Sequence, residues 1–114
     1  MEHIMHDVLA PSLIFLDVQK AINALKEALS QIERELAMPE NDDVSIRFMI
    51  HSAHMLERLI RGNPLKYDAL KAFTKEHYAL TAVVERAMRS VGELFGVTIP
   101  ASELAYLVEM FADR

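Results

Sequence analysis

The sequence predicts an all-α protein: a compact five-helix bundle that pairs into a dimer. Three observations carry this. Apolar residues recur at three- and four-residue intervals along most of the chain, the period of a helix face. Strand-like composition is confined to the short run Gly96-Val97-Thr98-Ile99. Pro39, Gly62, Pro64, Gly96 and Pro100 stand at breaks between the periodic segments, where helices stop and start.

The elements follow in order. Residues 1–9 read as a flexible N-terminal segment and residues 10–114 as one domain. Pro11 suits the first turn of a helix. That helix is expected from about Ser12 to Ala37, with Leu16, Ile22, Leu25, Leu29, Ile32 and Leu36 on one face and Pro39 ending it. Asn41 or Asp42 caps a second helix running to about Arg61, and Gly62 stops it. Asn63-Pro64 starts a short third helix reaching about Phe73. Thr74 caps a fourth, through Val83, Val84, Ala87, Met88, Val91 and Leu94 to Phe95, and Gly96 stops it. Pro100 opens a fifth, bearing Leu104, Leu107, Val108 and Phe111.

Composition narrows the function. The 114 residues suffice for one domain with a real core. Twelve basic against 17 acidic residues give a net charge of −5, so bulk attraction to DNA or RNA is not available. There is no cysteine, which excludes disulfides and thiolate metal sites and suits a reducing cytoplasm. No apolar run approaches the roughly 20 residues of a membrane span. The start, Met1 to Asp7, lacks the basic and apolar regions of a signal peptide. Apolar residues make up 52% of the chain, above the typical range of about 45–50%. A bundle this small therefore leaves apolar surface for a partner.

No phosphate-binding glycine loop, nucleophile elbow or paired-cysteine motif is present. Three residues before His54 stands His51, and three before His77 stands Thr74, so the Glu-x-x-His of a di-iron site is absent. The acidic residues read as solvated charges on outer faces, and the methionines as core filler. No cofactor is expected.

One feature of the second helix stands apart. Arg47, His51, His54 and Arg58 are spaced 4, 3 and 4 residues apart and fall within an arc of roughly 60°. Arg61 lies at its edge. The opposite side carries Phe48, Met49, Ser52, Met55, Leu56, Leu59 and Ile60. Imidazole can be a phosphoryl nucleophile and arginine can neutralise what it receives. His51 reads either as that nucleophile or as a half-buried histidine satisfied by a carbonyl. His54 reads as a structural neighbour, as an electrostatic assistant to His51, or as an acceptor itself. Arg58 reads as a surface ion-pair partner or as a group facing phosphate, and Arg47 divides evenly between the same two roles. A metal site built from His51, His54 and Glu57 is disfavoured, because two arginines in the stripe repel a cation. His3 and His6 are assigned no role, and His77 caps or lines the fourth helix.

The residues also carry a family resemblance. The segment His51-Ser52-Ala53-His54-Met55-Leu56-Glu57-Arg58-Leu59 resembles the signature of the PTS regulation domain, or PRD: a histidine, six residues, then arginine, ending Glu-Arg-hydrophobic. The stretch Phe95 to Leu107 resembles that family's closing motif, Gly-hydrophobic-x-Ile-Pro followed by Glu-hydrophobic-Ala-Tyr-hydrophobic. Asn63-Pro64-Leu65 matches the loop after the histidine helix. The resemblance covers about Ala10 to Phe111.

The resemblance implies a regulatory domain rather than an enzyme. PRDs are dimerising helical modules of bacterial transcription activators and antiterminators that control sugar operons. Their histidines accept phosphate from phosphotransferase-system proteins, either HPr or a sugar-specific EIIB. Phosphorylation shifts dimer packing and switches an effector or DNA-binding domain on the same or another chain. Residue by residue, the match implies phosphorylation at His51, with Arg47, His54 and Arg58 as neighbours of the phosphate. The family's second histidine falls where this sequence has Met110, which cannot be phosphorylated. A single-histidine PRD is similar to the C-terminal PRD of levanase-operon-type activators, which work with sigma-54 RNA polymerase. A structural dimerisation module without phosphorylation and the PRD of an RNA-binding antiterminator stand as alternatives. Neither direct nucleic-acid binding nor membrane attachment is implied.

Overall fold

The computed structural model describes residues 2–10, 13 and 15–112. Six helices and no strand occur among them: α1 (Glu2–Leu9), α2 (Val18–Leu36), α3 (Asp42–Ile60), α4 (Leu70–Glu76), α5 (Tyr78–Phe95) and α6 (Ala101–Ala112). The all-α expectation holds. Five helices answer in order to the five read from the sequence, and α1 is additional. It lies within residues 1–9, ahead of the domain read from the sequence, and its Met5 and Leu9 are buried in the core. Burial of two large apolar side chains compensates for a helix too short to stand alone.

Local chemistry sets each boundary. Pro11 and Ser12, expected to open a helix, lie outside the described residues. The α2 helix begins later, at Val18, because the Asp17 carboxylate accepts the Lys20 N–H at 3.1 Å and closes the first turn. It ends with Ala37 in the left-handed region (φ 51°), where the Ala37 and Met38 N–H groups return to the Arg34 and Glu33 carbonyls. Asn41 caps α3 as expected, accepting the Val44 N–H at 3.1 Å. Asp42 and Asp43 then place negative charge at the positive end of that helix.

The third and fourth helices depart from expectation. Pro64 opens no helix; residues 63–69 run irregularly and α4 starts only at Leu70. Thr74 lies inside α4 rather than capping α5, and the break falls at His77 (φ −112°, ψ 38°). The C-terminus of α5 is set by Gly96 (φ 69°), with the Val97 N–H donating to the Gly92 carbonyl at 2.9 Å. The Pro100 carbonyl accepts the Glu103 and Leu104 N–H groups and starts α6.

The core lies among α2, α3, α5 and α6, with α1 laid against α2 and α3 and the short α4 against α5 and α6. Ile22, Leu25, Ile32, Phe48, Met49, Met55, Leu56, Val84, Met88 and Leu107 are almost wholly sequestered. Phe48 meets Phe111 edge-on at 5.9 Å. Each such side chain contributes about 1.5–3 kcal/mol of burial. The methionines at 5, 38, 49, 55 and 88 are core residues, as expected, and Met110 packs against the core's edge. No helix among the described residues is long and apolar enough to cross a membrane.

Candidate functional site

The α3 helix turns its apolar face inward and carries the basic stripe along the border of the core. Arg47 is exposed, whereas His51, His54 and Arg58 are half-buried. His51 and Arg58 meet α6, whose residues Tyr106 and Glu103 lie one turn apart on the side facing α3. The His51 ring sits 5.9 Å from the Tyr106 ring, tilted by 36°. The His51 Nε2 is buried and has no hydrogen-bond partner. Burial first, and then the Arg58 guanidinium, hold its pKa below the ordinary histidine value; Glu103 and Glu109 pull the other way. The neutral ring, with a lone pair on one nitrogen, is therefore favoured.

His54 is anchored by its own helix. Its Nδ1 donates to the Ile50 carbonyl at 2.9 Å. Because the acceptor is a carbonyl, Nδ1 carries the hydrogen, and the lone pair of the neutral ring belongs to Nε2. Both ring orientation and tautomer are thus set by the backbone.

Arg58 is neither a simple surface ion-pair partner nor a guanidinium without a counterion. Its Nη2 donates to Glu103 Oε1 at 2.9 Å and its Nε to Glu103 Oε2 at 3.3 Å, a two-pronged pair. Glu103 has no solvent exposure and also accepts the Leu65 N–H at 2.9 Å. One carboxylate thereby gathers α3, α6 and the loop after α3.

Glu57 does the same in another direction. It is 5% exposed and accepts the Phe15 N–H and the Leu16 N–H, each at 3.0 Å to Oε1. The expectation that the acidic residues are solvated is corrected for these two. Both are buried, because each supplies the acceptor that otherwise unpaired backbone N–H groups need. Sequence reasoning missed Glu103 and named Glu57 only in a disfavoured metal site. Their one signal was position: Glu57 lies in the histidine motif and Glu103 in the closing motif.

Beyond Tyr106 the ring contacts continue. Tyr67 meets Tyr106 edge-on at 4.9 Å and Phe73 at 5.0 Å, and Phe73 meets His77 at 4.6 Å. The Tyr106 hydroxyl donates to the Lys66 carbonyl at 2.5 Å, and the Tyr67 hydroxyl donates to Glu109. His77 fills the junction of α4 and α5 without a side-chain capping bond. Arg61, at the end of α3, lies over the Phe15 ring. No group of three or more metal-ligating side chains occurs among the described residues.

The PRD domain family profile matches residues 18–114. The chain belongs to the PRD domain family. Among curated proteins, this PRD is similar to the Transcriptional regulatory protein LevR of Bacillus subtilis (strain 168), with 26% identity over 114 residues. The alignment takes in the whole of this chain and 12% of the relative. No solved structure matches. The family match thus spans α2 to α6, with α1 lying ahead of it.

Proposed function

We propose that this PRD is the phosphorylation-controlled regulatory domain of a bacterial sugar-operon regulator, with His51 as the phosphoryl acceptor. The observation that carries the reading is the state of His51. It is a half-buried imidazole biased toward its neutral form, with an unpartnered nitrogen, close enough to Arg58 to feel its charge. A nucleophile needs the lone pair, and the product needs a nearby cation.

The donor is phosphorylated HPr or a sugar-specific EIIB. The phosphorus–donor bond breaks with its electron pair staying on the donor, and a phosphorus–nitrogen bond forms from the His51 lone pair. Phosphate and protons are conserved apart from exchange with solvent. His54, fixed by Ile50, and Arg47, exposed one turn earlier on α3, complete the surroundings of the phosphate. The imidazole-bound phosphoryl group brings about −1.5 to −2 charges, by analogy with phosphoserine. That charge changes packing around α3 and biases a homodimer, which passes the signal to an effector domain. The LevR relative is by its name a transcriptional regulator, which supports placing this domain in a protein of that kind, in the cytoplasm.

The test is wild type, His51→Ala and His54→Ala offered phosphorylated HPr and, separately, phosphorylated EIIB. Acid-labile phosphate is expected on wild type and His54→Ala but not on His51→Ala. Labelling that survives His51→Ala and vanishes with His54→Ala moves the acceptor to His54. If no form is labelled by either donor, the domain is a structural dimerisation module. Sedimentation checks the dimer, for which a contact of roughly 1,200 Å² or more is expected.

A further inference from the structure

We infer that the phosphoryl group on His51 takes over the Arg58 guanidinium fork that Glu103 occupies in the unmodified protein. The inference rests on His51 being the acceptor and concerns how its modification is transmitted.

The anion site is already built. Three N–H donors from two separate elements converge on one fully buried carboxylate: Arg58 Nη2 at 2.9 Å, Arg58 Nε at 3.3 Å and Leu65 N at 2.9 Å. A planar guanidinium in this two-pronged geometry suits a phosphoryl group as well as a carboxylate. His51 precedes Arg58 by two helical turns on one face of α3, and its ring meets Tyr106, one turn after Glu103 on α6. Arg58 and Glu103 both act electrostatically on the imidazole.

Two anions then compete for one cation. The phosphoryl group carries about twice the charge of the carboxylate, so it draws Arg58 the more strongly at comparable distance. Glu103 keeps the Leu65 N–H and loses its counterion. A carboxylate with no solvent exposure is not stable without one. The start of α6 and the Leu65–Lys66 segment, joined by the Leu65–Glu103 and Tyr106–Lys66 bonds, must shift to relieve it. Glu103 is thus a positioning residue with two effects: it restrains phosphorylation in the resting state, and it converts phosphorylation into movement of α6.

The experiment uses the whole chain, 15N-labelled and treated with phosphorylated HPr and, separately, EIIB. The Leu65 amide resonance of wild type is followed together with uptake of acid-labile phosphate. Phosphorylation is expected to displace the Leu65 and α6 amide signals. Glu103→Gln, which keeps the shape and removes the competing charge, is expected to take up label roughly tenfold faster. Wild type labelled on His51 with an unmoved Leu65 amide overturns the inference but leaves the acceptor assignment intact. So does Glu103→Gln labelled no faster than wild type. If Glu103→Gln does not fold, the wild-type amide shift decides alone. Wild type unlabelled by both donors overturns the acceptor assignment and this inference with it.

Discussion

Replacing Arg58 by methionine tests how much the fold depends on the Arg58–Glu103 pair. The substitution removes two charge-assisted bonds and leaves a wholly buried carboxylate with the Leu65 N–H. Removing one partner of a buried ion pair costs about 3–5 kcal/mol. The Arg58 side chain is 24% exposed, so water reaches one end of the pair and the low end of that range, about 3 kcal/mol, is expected. For a domain of this size that is a fall in Tm of about 12 °C. Glu103→Met strands a guanidinium that can turn to solvent and is expected to cost about 1 kcal/mol. The double variant has no buried charge and is expected within about 1 kcal/mol of wild type. Urea denaturation of all four proteins closes the double-mutant cycle, with a coupling energy of about 3–5 kcal/mol expected. An Arg58→Met variant within about 0.5 kcal/mol of wild type, or a double variant losing the sum of the singles, would refute the reasoning.

Three further outcomes follow. His51 should titrate below the ordinary value of 6.5, since burial and Arg58 both oppose imidazolium; its contribution to stability is whole above that value and is lost as pH falls through the folded-state value, and a histidine NMR titration at or above 6.5 contradicts it. Glu57→Gln should cost about 1–3 kcal/mol by weakening the acceptor of the part-buried Phe15 and buried Leu16 N–H groups, and should speed amide exchange at Phe15 and Leu16; unchanged exchange there counts against the tether. Gly92→Ala would set a Cβ 2.8 Å from the Val97 carbonyl oxygen. Backbone cannot yield cheaply, so a loss of about 1–3 kcal/mol should outweigh alanine's better helix propensity, and an unchanged or raised Tm would be the contrary result.

Local signals were legible in the sequence and long-range ones were not. Asn41, Gly62, Gly96 and Pro100 act through neighbours within a few residues, and the ends they mark for α3, α5 and α6 agree closely with the structure. The break at His77 carries no glycine or proline, and α1 is too short for Met5 and Leu9 to declare a period. The Asp17 cap was masked by the stronger punctuation of Pro11. At the site, the stripe of Arg47, His51, His54 and Arg58 follows from helical spacing alone. What Arg58 binds does not: its partner lies 45 residues away. The acceptor for the Phe15 and Leu16 N–H groups is 42 and 41 residues from them. A glutamate on a helix looks the same in sequence whether it faces water or an orphaned backbone donor.

The ring cluster beside His51 also makes the protein its own optical probe. The chain has no tryptophan and three tyrosines. Tyr67 and Tyr106 stand edge-on in the cluster, while Tyr78 is 75% exposed. Near-ultraviolet circular dichroism arises from aromatic rings held in fixed packing, so the tyrosine band here originates chiefly in the two rings that α6 and the Tyr67 loop bring to the histidine, while the packed Phe48 and Phe111 contribute at the shorter wavelengths of phenylalanine. A change in the histidine's surroundings that moves either element should be readable in that tyrosine band of the native chain, with no dye or substitution.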